Sequence, residues 1–234
     1  MKIAVCIPCG DLLHSRFMIR VCALQRWHRE HFPGDCLDIR IAAGTLIETS
    51  RNTLANNALA EGADAILWLD SDMVFPPDLL ARLLAHDKDI IAANYSTRRQ
   101  EDIGTVAFDR STTDGWVNSF GKTGLQKINS IGMGAMLVKM DVLRKMPKPW
   151  FIVGYNPNTD FYVGEDIYFC NKAIKLGFDV WVEHDLSQET GHLGQFEYTM
   201  EIVGAAHGTK EGWEIAYGDQ RPEPEAPEMG LEQV

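Results

Sequence analysis

Asp70-Ser71-Asp72 is the densest chemical feature of the sequence. The two carboxylates follow Leu67-Trp68-Leu69, an apolar stretch that reads as a buried strand. Side chains two residues apart on extended chain point the same way. Two acids held on one side repel each other unless a cation offsets them. Hard divalent ions such as Mg²⁺ and Mn²⁺ prefer carboxylate oxygens and often share them with a substrate's phosphates. The plain alternative is a strand end followed by an Asp-rich turn. A second acid pair, Glu165-Asp166, follows Gly164 and opens a helical pattern. Adjacent helical residues point about 100° apart, so these two cannot form one shared site. Either they serve a bound hydroxyl, one as general base, or they favour a helix N-terminus electrostatically. Arg51 stands in the first turn of a predicted helix, where the dipole disfavours a cation. Its planar fork suits a diphosphate or a base face, which tilts the reading towards function.

These residues need a frame, and the pattern along the chain supplies one. Ile3–Ile7 reads as a buried strand stopped by Pro8 and Gly10, and residues 15–31 as a helix ended by Pro33-Gly34. Leu37–Ala42 is a second strand. Thr49 or Ser50 is the expected N-cap of a helix that stops at Gly62. Ala65–Leu69 is a third strand, a helix opens at Pro76-Pro77-Asp78, and Asp89–Ala93 is a fourth strand. This rhythm predicts an open parallel sheet covered by helices, with ligands at the carboxyl ends of the strands. Residues 94–127 read as polar loops and short antiparallel strands. Apolar Ile131–Met140, a helix over 164–176, a strand at Val180–Glu183 and a helix over 196–206 complete the pattern. Arg98 and Arg99 read as a charged solvent loop. Trp116, Trp150, Phe151, Tyr155, Phe161 and Tyr162 are either packed or available to stack on sugar or base faces.

Composition narrows the class. The chain has 234 residues, 45% hydrophobic and 24% charged, with a net charge of −11. Such acidity disfavours general polyanion binding, which rests on Lys and Arg neutralising phosphates. No apolar run approaches the roughly 20 residues that span a bilayer, and the N-terminus lacks the form of a signal peptide. The expectation is a cytoplasmic protein without membrane insertion. Cys6 and Cys9 form a Cys-x-x-Cys, but Cys6 lies within a strand pattern, so structural thiols are expected. Residues 219–234 hold five acids, one Arg and little apolar surface, the composition of a solvated tail.

In order along the chain stand Ile7-Pro8, Arg51-Asn52, Asp70-Ser71-Asp72, Pro77-Asp78, the glycine-bearing Ser130–Met136, Gly164-Glu165-Asp166 and His192. This succession resembles GT-A-fold glycosyltransferases, particularly the inverting family 2 group. The resemblance implies a GT-A-like (Rossmann-like) α/β fold. Its central sheet would be mostly parallel and flanked by helices, with a small antiparallel element in the second half. One domain would span 1–218, with a nucleotide-sugar-binding half at 1–94 and an acceptor-side half at 95–218. It further implies that Asp72, with Asp70 and His192, holds Mn²⁺ or Mg²⁺, with His184 a rival imidazole. Pro8, Cys9, Gly10, Arg51, Asp70 and Ser71 would bind the nucleotide-diphosphate sugar. Asp166 would be the general base, with Glu165 beside it. In place of the base-holding Asp frequent after the second strand stands Ala42-Ala43-Gly44-Thr45. Transfer from a UDP-linked donor to a hydroxyl acceptor, with inversion, is the implied reaction. The acceptor is left open among a protein, a glycan and a modified nucleobase. A retaining transferase, a nucleotidyltransferase and a non-catalytic nucleotide-sugar binder are the alternatives.

Overall fold

The structure is a computed structural model and describes residues 1–98, 104–113, 115–157 and 160–194. The elements run β1 (Lys2–Cys9), α1 (Ser15–His31), β2 (Cys36–Ala43), α2 (Ile47–Ala60), β3 (Ala65–Leu69), β4 (Met73–Val74), α3 (Leu79–Ala85) and β5 (Ile90–Ala93). There follow β6 (Leu125–Ile128), β7 (Ala135–Lys139), α4 (Met140–Lys145), β8 (Gly154–Asn156), β9 (Phe161–Val163), α5 (Glu165–Lys175), β10 (Val180–Glu183), α6 (His184–Ser187) and β11 (Gly191–His192). A compact unit covers Met1–Gly194. The expected helix over 196–206 and the acidic tail lie outside the described residues.

Seven strands form the main sheet in the order β2-β1-β3-β7-β5-β10-β6. The pairs β1–β2, β1–β3 and β5–β10 are parallel, while β7 runs antiparallel between β3 and β5 and β6 closes the edge antiparallel to β10. The strand rhythm therefore gives the direction of β1, β2, β3 and β5 but not the insertion of β7 between the last two. The apolar run at 131–140 carries no mark of its direction.

Strand alternation divides the core into two layers. Ile3, Val5 and Ile7 face α1 and α3 through Phe17, Val21, Leu24, Leu79 and Leu83. Ala4, Cys6, Ile66 and Trp68 face α2, α4 and α5 through Leu54, Ala58, Leu143 and Phe169. Both faces of the inner strands are covered, which is why β1 and β3 read as continuous apolar runs. Edge strand β2 instead alternates, with Asp38 and Arg40 among Leu37, Ile39 and Ile41. Gly62 and Gly177, at φ of 72° and 89°, end α2 and α5 in a conformation that favours glycine.

One local expectation is corrected and one open alternative is resolved. α2 starts at Ile47 with Leu46 as its cap residue, three residues ahead of the expected cap Thr49. Trp150 and Phe151 are buried, Phe151 stacking on Phe169 with ring centroids 5.1 Å apart, so neither is available to a ligand. The cysteines are all free thiols, and burial pushes Cys6 up to about 12, as expected of structural rather than redox groups. Among the described residues, no helix is long and apolar enough to cross a membrane.

Candidate active site

A cavity of about 300 Å³ opens outside the carboxyl ends of β1, β2 and β3. Pro8, Cys9 and Gly10 line it from the end of β1, Gly44 and Thr45 from the end of β2, and Asp70, Ser71 and Asp72 from the end of β3. Arg98 and His192 complete the wall. The Gly44 N–H donates to the Cys9 carbonyl at 3.0 Å and joins the first two loops. Thr45 and Ile47 stand on the wall that carries no base-holding Asp.

Asp70 and Asp72 take different cations. β3 ends at Leu69, and the Met73 N–H donates to the Asp70 carbonyl at 3.2 Å, closing a tight turn. The two acids thus sit on a turn rather than on extended chain, and the shared orientation expected from strand geometry does not apply. Asp70 Oδ1 accepts from Arg51 Nη2 at 2.8 Å. Asp72 Oδ2 accepts from Arg98 Nη1 at 2.6 Å, and its Oδ1 lies 3.3 Å from His192 Nε2.

The approach of His192 to Asp72 has a backbone cause. β4 begins one residue after Asp72, and β11 pairs with it antiparallel, with His192 opposite Met73. The Leu193 N–H then donates to the Asp72 carbonyl at 2.7 Å. The His192 ring packs edge-on against Tyr95, with centroids 5.3 Å apart, and its Nδ1 lies 3.0 Å from the Ser96 carbonyl. A carbonyl only accepts, so Nδ1 carries a proton, and Nε2 faces Asp72 Oδ1. An imidazole nitrogen and a carboxylate oxygen so placed take a proton or a metal ion between them. Burial alone would raise the pKa of Asp72. The bond to His192 and the charges of His192 and Arg98 outweigh it, so the carboxylate titrates below its ordinary value. One carboxylate oxygen and one imidazole nitrogen suit Mn²⁺ or Mg²⁺, which commonly complete their shell with phosphate and water. Among the described residues, no group of three or more His, Cys, Asp and Glu side chains assembles. The rival imidazole, His184, is buried elsewhere, with Nδ1 2.9 Å from Ser119 Oγ and Nε2 3.2 Å from Gln126 Oε1.

Arg51 was expected on the donor, but it does not line the cavity. Because α2 starts at Ile47, Arg51 falls in the second turn on the buried face. Its Nε donates to Glu165 Oε1 at 3.0 Å and its guanidinium carbon lies 5.4 Å from the centre of the Trp68 ring. Burial would lower its pKa. The charges of Asp70 and Glu165 outweigh that and raise it. Arg51 is a strut that ties the aspartate turn to the head of α5, and its Nη1 has no hydrogen-bond partner among the described residues.

Glu165 and Asp166 open α5, as the sequence suggests. Asp166 Oδ1 accepts from the Ile167 N–H at 2.7 Å. Its burial, and next the charge of Glu165, raise it to about 6, within the range of a base working near neutrality. Arg98 is exposed, as its reading as a solvent-loop residue has it, and also pairs with Asp72; Arg99 lies outside the described residues. Tyr95 is buried, its hydroxyl accepting from the Gly134 N–H at 3.0 Å. A Cβ at Gly132 or Gly134 would lie 2.4 or 2.7 Å from that hydroxyl. Two glycines spaced by two before a strand were the available sign that a bulky group packs on that side.

Residues 43–128 match the Anp1 family. It is a family of mannosyltransferase-like glycosyltransferases, and the matched span holds Arg51, Asp70, Asp72, Tyr95 and Arg98. No curated protein matches the chain. Among solved structures, A197 from STIV superposes with a TM-score of 0.51 at 14% identity, covering 85% of this chain and 97% of that one. A 4-diphosphocytidyl-2C-methyl-D-erythritol synthase covers 82% of this chain and 93% of its own at 12% identity. Its TM-score of 0.39 is too loose a superposition to bear on the chemistry. The fold is the expected α/β one, a mostly parallel seven-stranded central sheet flanked by helices with small antiparallel sheets beside it.

Proposed function

We propose that the protein is a metal-dependent glycosyltransferase that moves a sugar from a nucleotide-diphosphate donor, UDP-linked, to a hydroxyl acceptor with inversion. The observation that carries the reading is the 3.3 Å approach of Asp72 to His192, from residues 120 positions apart, at the mouth of a cavity lined by the ends of β1, β2 and β3. The Anp1 match over 43–128 supports a glycosyltransferase-like activity. Asp72 and His192 would hold Mn²⁺ or Mg²⁺, and the metal would supply Lewis-acid stabilisation to the departing diphosphate. Pro8, Cys9, Gly10, Gly44 and Thr45 would enclose the nucleoside. Asp166 would take the proton from the acceptor hydroxyl, and the Arg51 strut would hold Asp70 and Glu165 in place around it.

The test is a thermal-shift panel of nucleotide sugars with and without Mn²⁺, because a ligand of the native state raises apparent stability. A UDP-sugar should stabilise the protein only with the metal, and Asp72→Ala should abolish the shift while the fold survives. Release of UDP in the presence of acceptor should follow the same pattern. An unchanged shift in Asp72→Ala removes the metal assignment.

A further inference from the structure

Strand β2 stands at one end of the main sheet, beside β1, and among the described residues it has no partner on its outer side. It is a long edge of eight residues, Cys36–Ala43. Its backbone has a definite phase. The Cys36 N–H donates to the Met1 carbonyl at 2.8 Å, and just past the other end the Gly44 N–H donates to the Cys9 carbonyl at 3.0 Å. Peptide groups alternate in direction along a strand, so the N–H and C=O groups of Leu37, Ile39 and Ile41 face outwards. Such an edge is a template for another strand unless its side chains forbid the pairing.

The side chains here select what can pair. Leu37, Ile39 and Ile41 share one face, with Ile41 49% exposed, and Asp38 and Arg40 share the other. The segment Leu37-Asp38-Ile39-Arg40-Ile41 is complementary to its own reverse. Laid antiparallel on a second copy, with Ile39 opposite its own equivalent, it sets Leu37 opposite Ile41 and Asp38 opposite Arg40, twice each. Sliding the register by two residues sets Asp38 opposite Asp38 in one direction and Arg40 opposite Arg40 in the other. Like charges directly opposite destabilise a pair, so charge selects the central register. The side chains are also ready for it. Within one copy Arg40 donates to Asp38 and Glu61, which fixes the guanidinium beside the edge. The Asp38 side chain is 36% exposed, and a carboxylate has lone pairs enough for a second guanidinium.

We propose that β2 is a self-pairing edge, through which two copies of the chain join about a two-fold axis at Ile39 into one continuous sheet. Under that symmetry every contact occurs twice, so the match at two positions supplies four complementary pairs. The pairing does not depend on the reaction proposed above.

The experiment uses the full chain. Sedimentation velocity from roughly 5 to 500 µM should show a monomer–dimer equilibrium. Asp38→Arg should weaken dimerisation roughly tenfold or more, because the symmetry turns two opposite-charge pairs into two like-charge pairs. Arg40→Asp should do the same. Mixed in equal amounts, the two variants should form a heterodimer of parent-like affinity, since the cation at position 38 of one then faces the acid at position 40 of the other. Thermal unfolding checks the fold of each variant. A second measurement needs no substitution. Raising the concentration of the parent should slow amide exchange at Leu37, Ile39 and Ile41 and leave Asp38 and Arg40, whose N–H groups face β1, unchanged. Should Arg40→Asp not fold, Asp38→Arg and the exchange pattern decide. A chain that stays monomeric up to roughly 500 µM overturns the proposal, the result expected if another segment of the same chain covers β2. So does a dimer indifferent to the charge reversals, a mixture of folded variants that does not recover it, or a dimer without the alternating protection.

Discussion

Two cavities lie at the same end of one sheet and are built from different materials. The smaller is framed by Asp70, Asp72, Arg98 and His192 and braced from behind by Arg51 and Glu165. The larger, of about 670 Å³, opens outside the carboxyl ends of β5 and β10 and is braced by Asn94, Ser119 and Gln188. Tyr95, Ser96 and Thr97 line it, and the next residue, Arg98, lines the smaller. Among the described residues, charged side chains line the smaller cavity and not the larger. The largest effect that could break this contrast belongs to Asp166. Asp166→Asn should lower transfer roughly 10²–10⁴-fold, the usual contribution of a positioned base, while donor binding survives. An equal loss of donor affinity would mean that Asp166 belongs to the donor cavity and is no base. In the parent protein kcat/KM should rise with pH through about 6, as the carboxyl loses its proton. Stability should move the other way. The folded protein holds this proton more tightly than the unfolded chain, whose carboxyl titrates near 3.8. The stabilising contribution is complete below about pH 4 and is lost as pH rises through about 6. Asp166→Asn should therefore be more stable than the parent at pH 8, by about 3 kcal/mol, with little difference at pH 4. Urea unfolding at the two pH values reads this directly.

The braces can be compared in the same currency. Removing Arg51 leaves Asp70 and Glu165 without their shared buried cation, and Arg51→Met should cost about 3–5 kcal/mol of stability. Removing the Asn94 side chain unpairs neutral groups only, and Asn94→Ala should cost about 1–3 kcal/mol. If the two variants unfold at the same denaturant concentration, the charged and neutral cavities are not braced differently in energy, and the contrast is one of composition alone.

How much of this could be read from the sequence follows from where each signal is local. The apolar runs of β1 and β3, the glycine stop after α2 and the acid pair heading α5 are local patterns, and they emerged in place. Loop residues carried less. Arg98 follows a strand in a polar stretch, and only tertiary contacts, of the Ser96 carbonyl with His192 and of Arg98 itself with Asp72, place it at the site. His192 and His184 look alike as sequence; β11 pairing with β4 separates them, and a two-residue strand leaves no periodicity. Arg51 was visible as an unusual helix residue, but one turn of uncertainty in the start of α2 moves it from the cavity to the core. The antiparallel insertion of β7 is likewise a long-range pairing, to which hydrophobic pattern is blind.

The smallest expected effect sharpens the contrast most, because Arg98 sits one residue beyond the wall that the cavities share. Its side chain is 51% exposed, so the ion pair with Asp72 contributes about 0–1 kcal/mol to stability. Its consequence for cation binding is larger relative to that. Arg98 Nη1 occupies Asp72 Oδ2, while His192 Nε2 already faces Oδ1. A metal ion drawn to this carboxylate must displace or share with a guanidinium. Arg98→Gln should therefore bind Mn²⁺ about two- to fivefold more tightly than the parent when no nucleotide is present, an effect on the scale of the lost ion pair. Titration calorimetry with Mn²⁺ alone measures it. Weaker Mn²⁺ binding would show that Arg98 organises Asp72 rather than competing for it.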